Sequence, residues 1–348
     1  MPFSKDLYKT LRVKEIKEEV PGFKSISFEE GHGISYKAGQ YLTFVRFGGD
    51  KEIHRSYSIT SSPAWNEPLS IGVKRIENGL FSRHLVDEIK PGDELLTIGS
   101  GGLFTLPDDI AAYKQIFFFA AGSGITPIYS LIKTLLKEYP STQVVLIYSN
   151  PAEHRTLFLD SLRDLQEKHK ERFRMELLFS NNPQLMSARL HRELILHFLH
   201  TLAIAPKEQM LFYICGPENY MRLCTYTLRE DGVPAGSIKK ENFVIDARPK
   251  KNILPPDTAT HHVILQREGN VVDLTVMYPD SILAAAKKAG IALPYSCEAG
   301  SCGSCAARCT SGTIWHSYNE VLTDNDLKKG MVLTCVGHPI NGDATIVL

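Results

Sequence analysis

Four cysteines constrain this chain more than any other feature. Cys297, Cys302 and Cys305 stand at C-x4-C-x2-C, and Cys335 follows 29 residues after Cys305. Three thiols from one tight loop and a fourth from a distant segment close a cage of four thiolates, the donor set of a two-iron centre. Zinc prefers paired knuckles, and these are absent. Gly300 and Gly303 lie between the ligands, where a backbone without Cβ passes close to sulfide and turns N–H groups toward sulfur. The metal ligands are therefore expected to be Cys297, Cys302, Cys305 and Cys335. Seven cysteines in all, an odd number crowded toward one end, argue against a disulfide framework and for a metal centre in a reducing compartment. Cys309 falls outside the spacing and reads as a buried spare thiol; Cys224 reads as core.

At 348 residues and 43% hydrophobic, the chain exceeds one ordinary core, so two or three domains are expected. Lys+Arg and Asp+Glu balance at 39 each, which gives no global field to draw nucleic acid or an anionic membrane. The N-terminal stretch is polar, and the most apolar run, Ile116 to Ala121, is far short of the ~20 residues that span a bilayer. A cytoplasmic protein with no nucleic-acid partner and no membrane span is expected.

Residues 1–110 read as β-structure. Leu11–Ile16, Ser25–Phe28, Tyr41–Phe44, Ser56–Ile59 and Leu69–Val73 are short runs parted by turn signals such as Pro21-Gly22 and Pro91-Gly92-Asp93, with one helical stretch, Phe81 to Ile89. This spacing suits a barrel or sandwich. Residues 111–247 alternate strand and helix, which argues for a parallel, doubly wound sheet. The strands expected are Ile116–Ala120, Val144–Tyr148, Met175–Phe179 and Met210–Cys215; the helices are Pro127–Glu138, Leu157–His169 and Asn219–Arg229. Residues 248–260, with a basic run and a Pro pair, read as a linker. In 261–348 a hairpin, His262–Gln266 and Val271–Val276, and a helix, Ile282–Ala289, precede the cysteine loop.

Ala121-Gly122-Ser123-Gly124-Ile125-Thr126-Pro127 follows a strand and precedes a helix. Gly122 and Gly124 there let backbone approach a pyrophosphate at a helix N-terminus. Cys215-Gly216-Pro217 follows another strand at its C-terminal end, where ligands bind in open α/β sheets. Ser149, Asn150 and Arg155 follow a further strand; an Arg or Ser there suits a 2′-phosphate, which leans the choice between NADPH and NADH toward NADPH.

Three resemblances attach to these residues. IALPYSCEAGSCGSCAARC and VLTCVGHP resemble the plant-type [2Fe–2S] ferredoxin family. Arg55-Ser56-Tyr57-Ser58, then Gly79-x-x-Ser82-x-x-Leu85, then Pro91-Gly92-Asp93 resemble the ferredoxin–NADP reductase superfamily, whose FAD domain is a six-stranded antiparallel barrel. That resemblance implies that Arg55 pairs with the FAD pyrophosphate, Tyr57 stacks on the isoalloxazine and Ser58 hydrogen-bonds near flavin N5. It implies that Gly79 and Ser82 hold phosphate at a helix start (Ser82 also reads as a plain N-cap), and that Val73 and Lys74 make backbone contacts to the flavin. It further implies that the Gly122–Pro127 loop binds NAD(P)H, with Thr126 near the nicotinamide, and that Cys215 of Cys215-Gly216-Pro217 approaches the nicotinamide ring; a small buried thiol is the plainer reading of Cys215. Phe243, in Glu241-Asn242-Phe243, either covers the flavin or ends the sheet core.

The fold expected is multidomain: an antiparallel β-barrel FAD domain, an α/β doubly wound nucleotide domain, and an α+β ferredoxin (β-grasp) domain. Tyr57, Ser58, Thr126 and Cys215 are the candidate catalytic residues. The order barrel, nucleotide domain, ferredoxin resembles the reductase components of phenylacetyl-CoA oxygenases and related multicomponent oxygenases; methane monooxygenase-type reductases carry the ferredoxin first. The resemblance implies that NAD(P)H gives a hydride to FAD and that the [2Fe–2S] cluster passes single electrons to an iron-containing oxygenase or another electron-acceptor protein. A fatty-acyl desaturase, a hybrid-cluster protein or another iron protein is the alternative acceptor. A redox sensor without turnover is the remaining reading, and a complete donor side counts against it. The segment Trp315 to Asn319 lies near the loop where a partner would dock.

Overall fold

The computed structural model describes residues 7–48, 51–243, 253–267 and 269–348. Strands β1 (Lys9–Val20), β2 (Phe23–Phe28), β3 (Tyr41–Gly48), β4 (Lys51–Ser58), β5 (Ser70–Lys74) and β6 (Glu94–Gly101) form one antiparallel sheet in the order β4-β3-β6-β1-β2-β5. Its edges meet: Ile59, just past β4, bridges Ile71 on β5, and the Thr60 amide donates to Ser70 O at 2.8 Å. Closure removes the free edges and turns alternate residues inward. Leu11, Ile26, Leu42, Phe44 and Ile71 are thereby sealed in the interior. The helical stretch is α1 (Leu80–Arg83), continued by a wider π-helical turn, His84–Glu88; Phe81, Leu85 and Val86 from it enter the same core.

Strands β7 (Gln115–Ala121), β8 (Gln143–Asn150), β9 (Phe173–Phe179), β10 (Met210–Cys215) and β11 (Ile238–Glu241) form a wholly parallel sheet, ordered β11-β10-β7-β8-β9. Helices cover both faces, so β7 is apolar throughout rather than alternating. Its Ile116, Phe118 and Ala120 pack with α2 (Ile125–Glu138) and α3 (Leu159–Lys168). A short α4 (Leu185–Ala188) comes next; Phe117 and Phe119 pack with α5 (Arg192–Leu202) and α6 (Glu218–Glu230), where Cys224 is fully buried. The chain runs from β7 to β8 on one side and places β10 on the other. The crevice at the C-terminal ends of β7 and β10 is therefore the topological switch point.

Strands β12 (His261–Arg267), β13 (Asn270–Val276), β14 (Ala306–His316), β15 (Met331–Leu333) and β16 (Gly337–Val347) form the third sheet, ordered β13-β12-β16-β14-β15. Only β12 and β16 pair in parallel among its strands. Helix α7 (Ile282–Lys288) starts at Ser281, whose hydroxyl accepts from the Ala284 amide at 3.2 Å. It lays Ile282, Leu283 and Ala286 on Val263, Leu265 and Ile346. Cys305 and Cys335 sit in this core, so the sheet anchors one side of the cysteine loop. A short α8 (Asp324–Lys328) carries a capping box from Thr323 and Asp326. Of the expected linker, residues 248–252 lie outside the described residues. Residues 253–260 form no strand or helix, and Asp257 ties them to the third sheet by accepting from His261 Nε2 (2.7 Å) and the Asn341 amide (2.8 Å).

Barrel and parallel sheet meet along α2. Trp65 Nε1 donates to Lys133 O at 2.8 Å, Ser62 and Thr134 share a hydroxyl contact of 2.7 Å, and Ser130 donates to Ser61 O at 2.5 Å. Lys133, 5% exposed, forms an ion pair with Glu67, and its ammonium lies 4.4 Å from the Tyr129 ring centroid.

Candidate active site

The cysteine loop is built to present sulfur. Glu298, Gly300 and Gly303 all adopt positive φ (53°, 73° and 78°), which coils the backbone around the thiols. An added Cβ on Gly300 would stand 2.9 Å from Tyr318 O, so the segment after β14 packs directly on the loop and requires glycine there. The Ala299 amide points at Cys297 Sγ (3.3 Å) and the Ser304 amide at Cys302 Sγ (3.5 Å). Hydrogen bonds from the Cys302 and Cys335 thiols hold the Cys297 thiol below the ordinary range, and one from Cys335 does the same for Cys305. The four thiols thus contact one another in a chain, Cys302 to Cys297 to Cys335 to Cys305. No group of three or more such side chains among the described residues has the spacing of a single-ion site. Two irons need four thiolates, two on each. Four mutually contacting thiols with amides aimed at two of the sulfurs fit a two-iron cluster. Cys309 is half-buried at the rim, its thiol donating to Ser311 O at 3.2 Å, so the spare thiol is less buried than its sequence context suggests.

A cavity of about 550 Å³ lies between this loop and the barrel, within the range of a cofactor site. Its wall includes Arg55 and Ser58 of β4, Cys297 and Cys302 of the loop, and Glu241 and Phe243 beyond the parallel sheet. Arg55 is exposed; its guanidinium donates to His54 O (2.7 Å) and pairs with no carboxylate among the described residues, which leaves charge for an anionic ligand. Tyr57 is not part of this wall. Its ring packs near Phe44 (6.2 Å) and Phe81 (6.1 Å), and burial pushes its phenol pKa up. Phe243 is 46% exposed, which rules out the sheet core and leaves it at the cavity mouth.

The phosphate candidates stand apart from the cavity wall. Gly79 precedes α1 as its N-cap, and Ser82 is inside α1 rather than capping it. The Ser82 hydroxyl accepts from the Ile76 amide (3.1 Å) and donates to Gly79 O (3.2 Å), and it would crowd a Cβ on Gly79 to 2.5 Å. Val73 is sealed in the barrel core and Lys74 is exposed at the end of β5.

At the switch point, Gly122 (φ 54°) through Gly124 make a 3₁₀ turn that enters α2 at Ile125. A Cβ on Gly124 would overlap Cys215 O and stand 2.9 Å from Gly216 N. A Cβ on Gly216 would meet Ala121 Cβ at 2.9 Å. The two loops are thus pressed backbone to backbone, followed by Pro217 at the start of α6. Thr126 donates to Ser123 O (2.9 Å), and its methyl would stand 2.7 Å from a Cβ on Gly72, so it lies at the boundary with β5 beside Val73. Cys215 is fully buried, and burial raises its thiol well above the ordinary range. The plainer reading of Cys215 describes its state here. Asn150 is buried, and Arg155 is exposed after β8.

Glu241 is the residue whose importance the sequence conceals. It ends β11 opposite Cys215, and although the residue is partly open, its Oε2 is sealed without a hydrogen-bond partner. Burial pushes its carboxyl up to about 8. Its one legible signal is an acid at the C-terminal end of a parallel strand, beside the motif after β10.

The family described as an oxidoreductase FAD-binding domain matches residues 11–106, an oxidoreductase NAD-binding domain matches 118–225, and a 2Fe-2S iron-sulfur cluster binding domain matches 266–339. The chain is 29% identical over 347 residues to one of the subunits of the 1,2-phenylacetyl-CoA epoxidase of Escherichia coli K12, covering 97% of each. It is 30% identical over 345 residues to the ferredoxin reductase component of 3-ketosteroid-9-alpha-monooxygenase of Rhodococcus rhodochrous, covering 95% of this chain and 94% of that one. The solved structure of phthalate dioxygenase reductase superposes with a TM-score of 0.60 over 99% of both chains at 23% identity, which shows a shared fold.

Proposed function

The chain belongs to the family of oxygenase reductase components that join FAD-binding, NAD-binding and 2Fe-2S domains, and we propose that it supplies single electrons from NAD(P)H to the iron centre of an oxygenase such as a phenylacetyl-CoA oxygenase. It is an NAD(P)H oxidoreductase with FAD and a [2Fe–2S] cluster as cofactors. The observation that carries the proposal is the cavity walled by Arg55 and Ser58 on one side and by the ligands Cys297 and Cys302 on the other. When bound, the flavin and the cluster supply the conversion of a hydride's electron pair into single electrons.

The chain's own residues do the rest. Arg55, free of carboxylates, holds the FAD pyrophosphate through a bidentate guanidinium. Ser58 donates to the flavin edge, and Tyr57 stiffens the same strand by packing into the barrel. Gly79 and Ser82 hold phosphate at the start of α1, and Val73 and Lys74 give the flavin backbone contacts. Gly122, Gly124, Gly216 and Pro217 form the floor on which NAD(P)H lies, with Thr126 and Cys215 nearest the nicotinamide. Glu241, whose carboxyl is pushed up to about 8, would offer a hydrogen bond to the bound ring system. Cys297, Cys302, Cys305 and Cys335 ligate the cluster. We place the chain in the cytoplasm, because all seven cysteines are free thiols and no described helix is long and apolar enough to cross a membrane.

Anaerobic stopped-flow absorbance with NADH and NADPH in parallel tests this reading. Fast flavin bleaching followed by cluster reduction is expected, faster with NADPH. Flavin bleaching without cluster reduction would refute the path.

A further inference from the structure

Tyr41 is a barrel residue that reaches out of its own domain. It stands opposite Ser58 in the β3–β4 ladder and opposite Gly101 in the β3–β6 ladder. Its ring lies on a glycine bed: a Cβ on Gly102 would come within 2.7 Å of the ring, and one on Gly101 within 3.4 Å. That bed fixes where the phenol oxygen points. It donates to Cys302 O at 2.6 Å and lies 2.8 Å from Ser304 Oγ. A carbonyl only accepts, so the phenol's one proton is committed to Cys302, and Ser304 donates to the phenol oxygen in turn. Tyr41 is 5% exposed and lines the cavity beside Cys302.

Neighbouring contacts align with it. Ser56 donates to Ser296 Oγ (3.0 Å), and His54 contacts Tyr295 O through Nδ1 (2.9 Å) while its ring stacks on Tyr295 at 4.1 Å. Leu103, just past β6, packs into the third core beside Gly303. Of these contacts, the one from Tyr41 falls on the main chain of a cluster ligand that also walls the cavity.

We propose that Tyr41 is the positioning residue that holds Cys302, and with it the cluster, in register with the flavin cavity for electron transfer. The inference rests on the reductase reading above. One electron crosses from flavin to cluster at each event, and no atom moves with it. The electron pair is restored by a hydride from NAD(P)H, which leaves as NAD(P)⁺.

Tyr41→Phe keeps the ring on its glycine bed and removes both hydrogen bonds. In the holoenzyme, the flavin is reduced by a light pulse with a deazaflavin donor, so the measurement is independent of nucleotide binding. Cluster reduction is expected to slow several-fold, because the separation and orientation of the two redox sites are no longer held. FAD and iron content are expected to stay at wild-type levels. The EPR g-values of the dithionite-reduced cluster are expected to shift, because the main chain of a ligand loses the bond that fixes it. Wild-type kinetics and an unchanged EPR spectrum would overturn the assignment. Loss of iron would overturn it as well, by making Tyr41 a builder of the loop. Failure of the reductase reading would show separately, as an unmodified chain whose flavin neither nucleotide reduces.

Discussion

The ion pair between Lys133 and Glu67 allows an asymmetry to be worked out from burial alone. Lys133 on α2 has a side chain 6% exposed, whereas Glu67 is 33% exposed and also accepts from the Ser62 amide at 2.6 Å. Lys133→Met leaves a carboxylate that keeps one hydrogen bond and reaches water. The usual 3–5 kcal/mol for orphaning a buried charge is discounted accordingly, to about 2 kcal/mol. Glu67→Gln removes the countercharge instead and leaves the ammonium an amide oxygen and the Tyr129 ring as its remaining attractions. Burial already lowers the Lys133 pKa while Glu67 opposes the fall. Without Glu67 nothing opposes that fall, at a cost bounded by about 4–5 kcal/mol at pH 7, since each unit below the ordinary value costs about 1.4 kcal/mol. Glu67→Gln is therefore expected to destabilise more than Lys133→Met, by about 1–3 kcal/mol. The sign with pH follows. The folded lysine binds its proton less tightly than the unfolded one, so the variant's stability rises as pH rises toward 10. Trp65, bonded to Lys133 O, reports the seam by fluorescence in urea titrations at pH 7 and 9, in a Trp315→Phe background. Equal costs for the two variants, or a flat pH response in Glu67→Gln, would refute the reasoning.

The switch-point glycines are expected to separate cleanly. Gly124→Ala drives Cβ into the Cys215 carbonyl and should cost about 3 kcal/mol with loss of nucleotide affinity, whereas Gly122→Ala meets open space and costs about 1 kcal/mol for its positive φ; thermal melts and nucleotide titrations check both. Glu241, with a folded pKa of about 8 against 4.5, contributes stability that is fully present below pH 4.5 and lost as pH rises toward 8. Glu241→Gln should match the native chain at pH 4 and exceed it by roughly 3 kcal/mol at pH 7, read from urea midpoints. Arg55→Ala should lower FAD retention on gel filtration at least tenfold, the order of one charge-assisted pair, and full FAD occupancy would remove the pyrophosphate assignment.

What can be read from sequence follows from where the signals are local. The cysteine spacing, the run Ile116–Ala120 and the strand Met210–Cys215 are carried by consecutive residues, and the latter two lie in strands buried on both faces. Strand β1 is longer than its apolar part, because its second half is a charged ladder paired with β2 toward solvent. Edge strand β11 (Ile-Lys-Lys-Glu) escapes sequence reasoning, since two lysines suit an edge and mask the strand. Helix α5 escapes it too; no side-chain cap marks its start, and its apolar face is defined only against β7 and β10. Tyr41 and His54 carry no motif, and Ser56 belongs to one that says nothing of its contact with Ser296. Their partners lie 240 residues or more along the chain, and only folding brings them together.

Strand β4 touches both halves of the electron's route. Arg55 and Ser58 stand on the cavity wall while Ser56, between them, bonds Ser296 beside Cys297. Both redox sites are thus referenced to a single rigid rod. When that rod vibrates, the two ends of the electron's path shift together, so their separation fluctuates less than either position does. The gap would then stay steady even while the enzyme as a whole breathes.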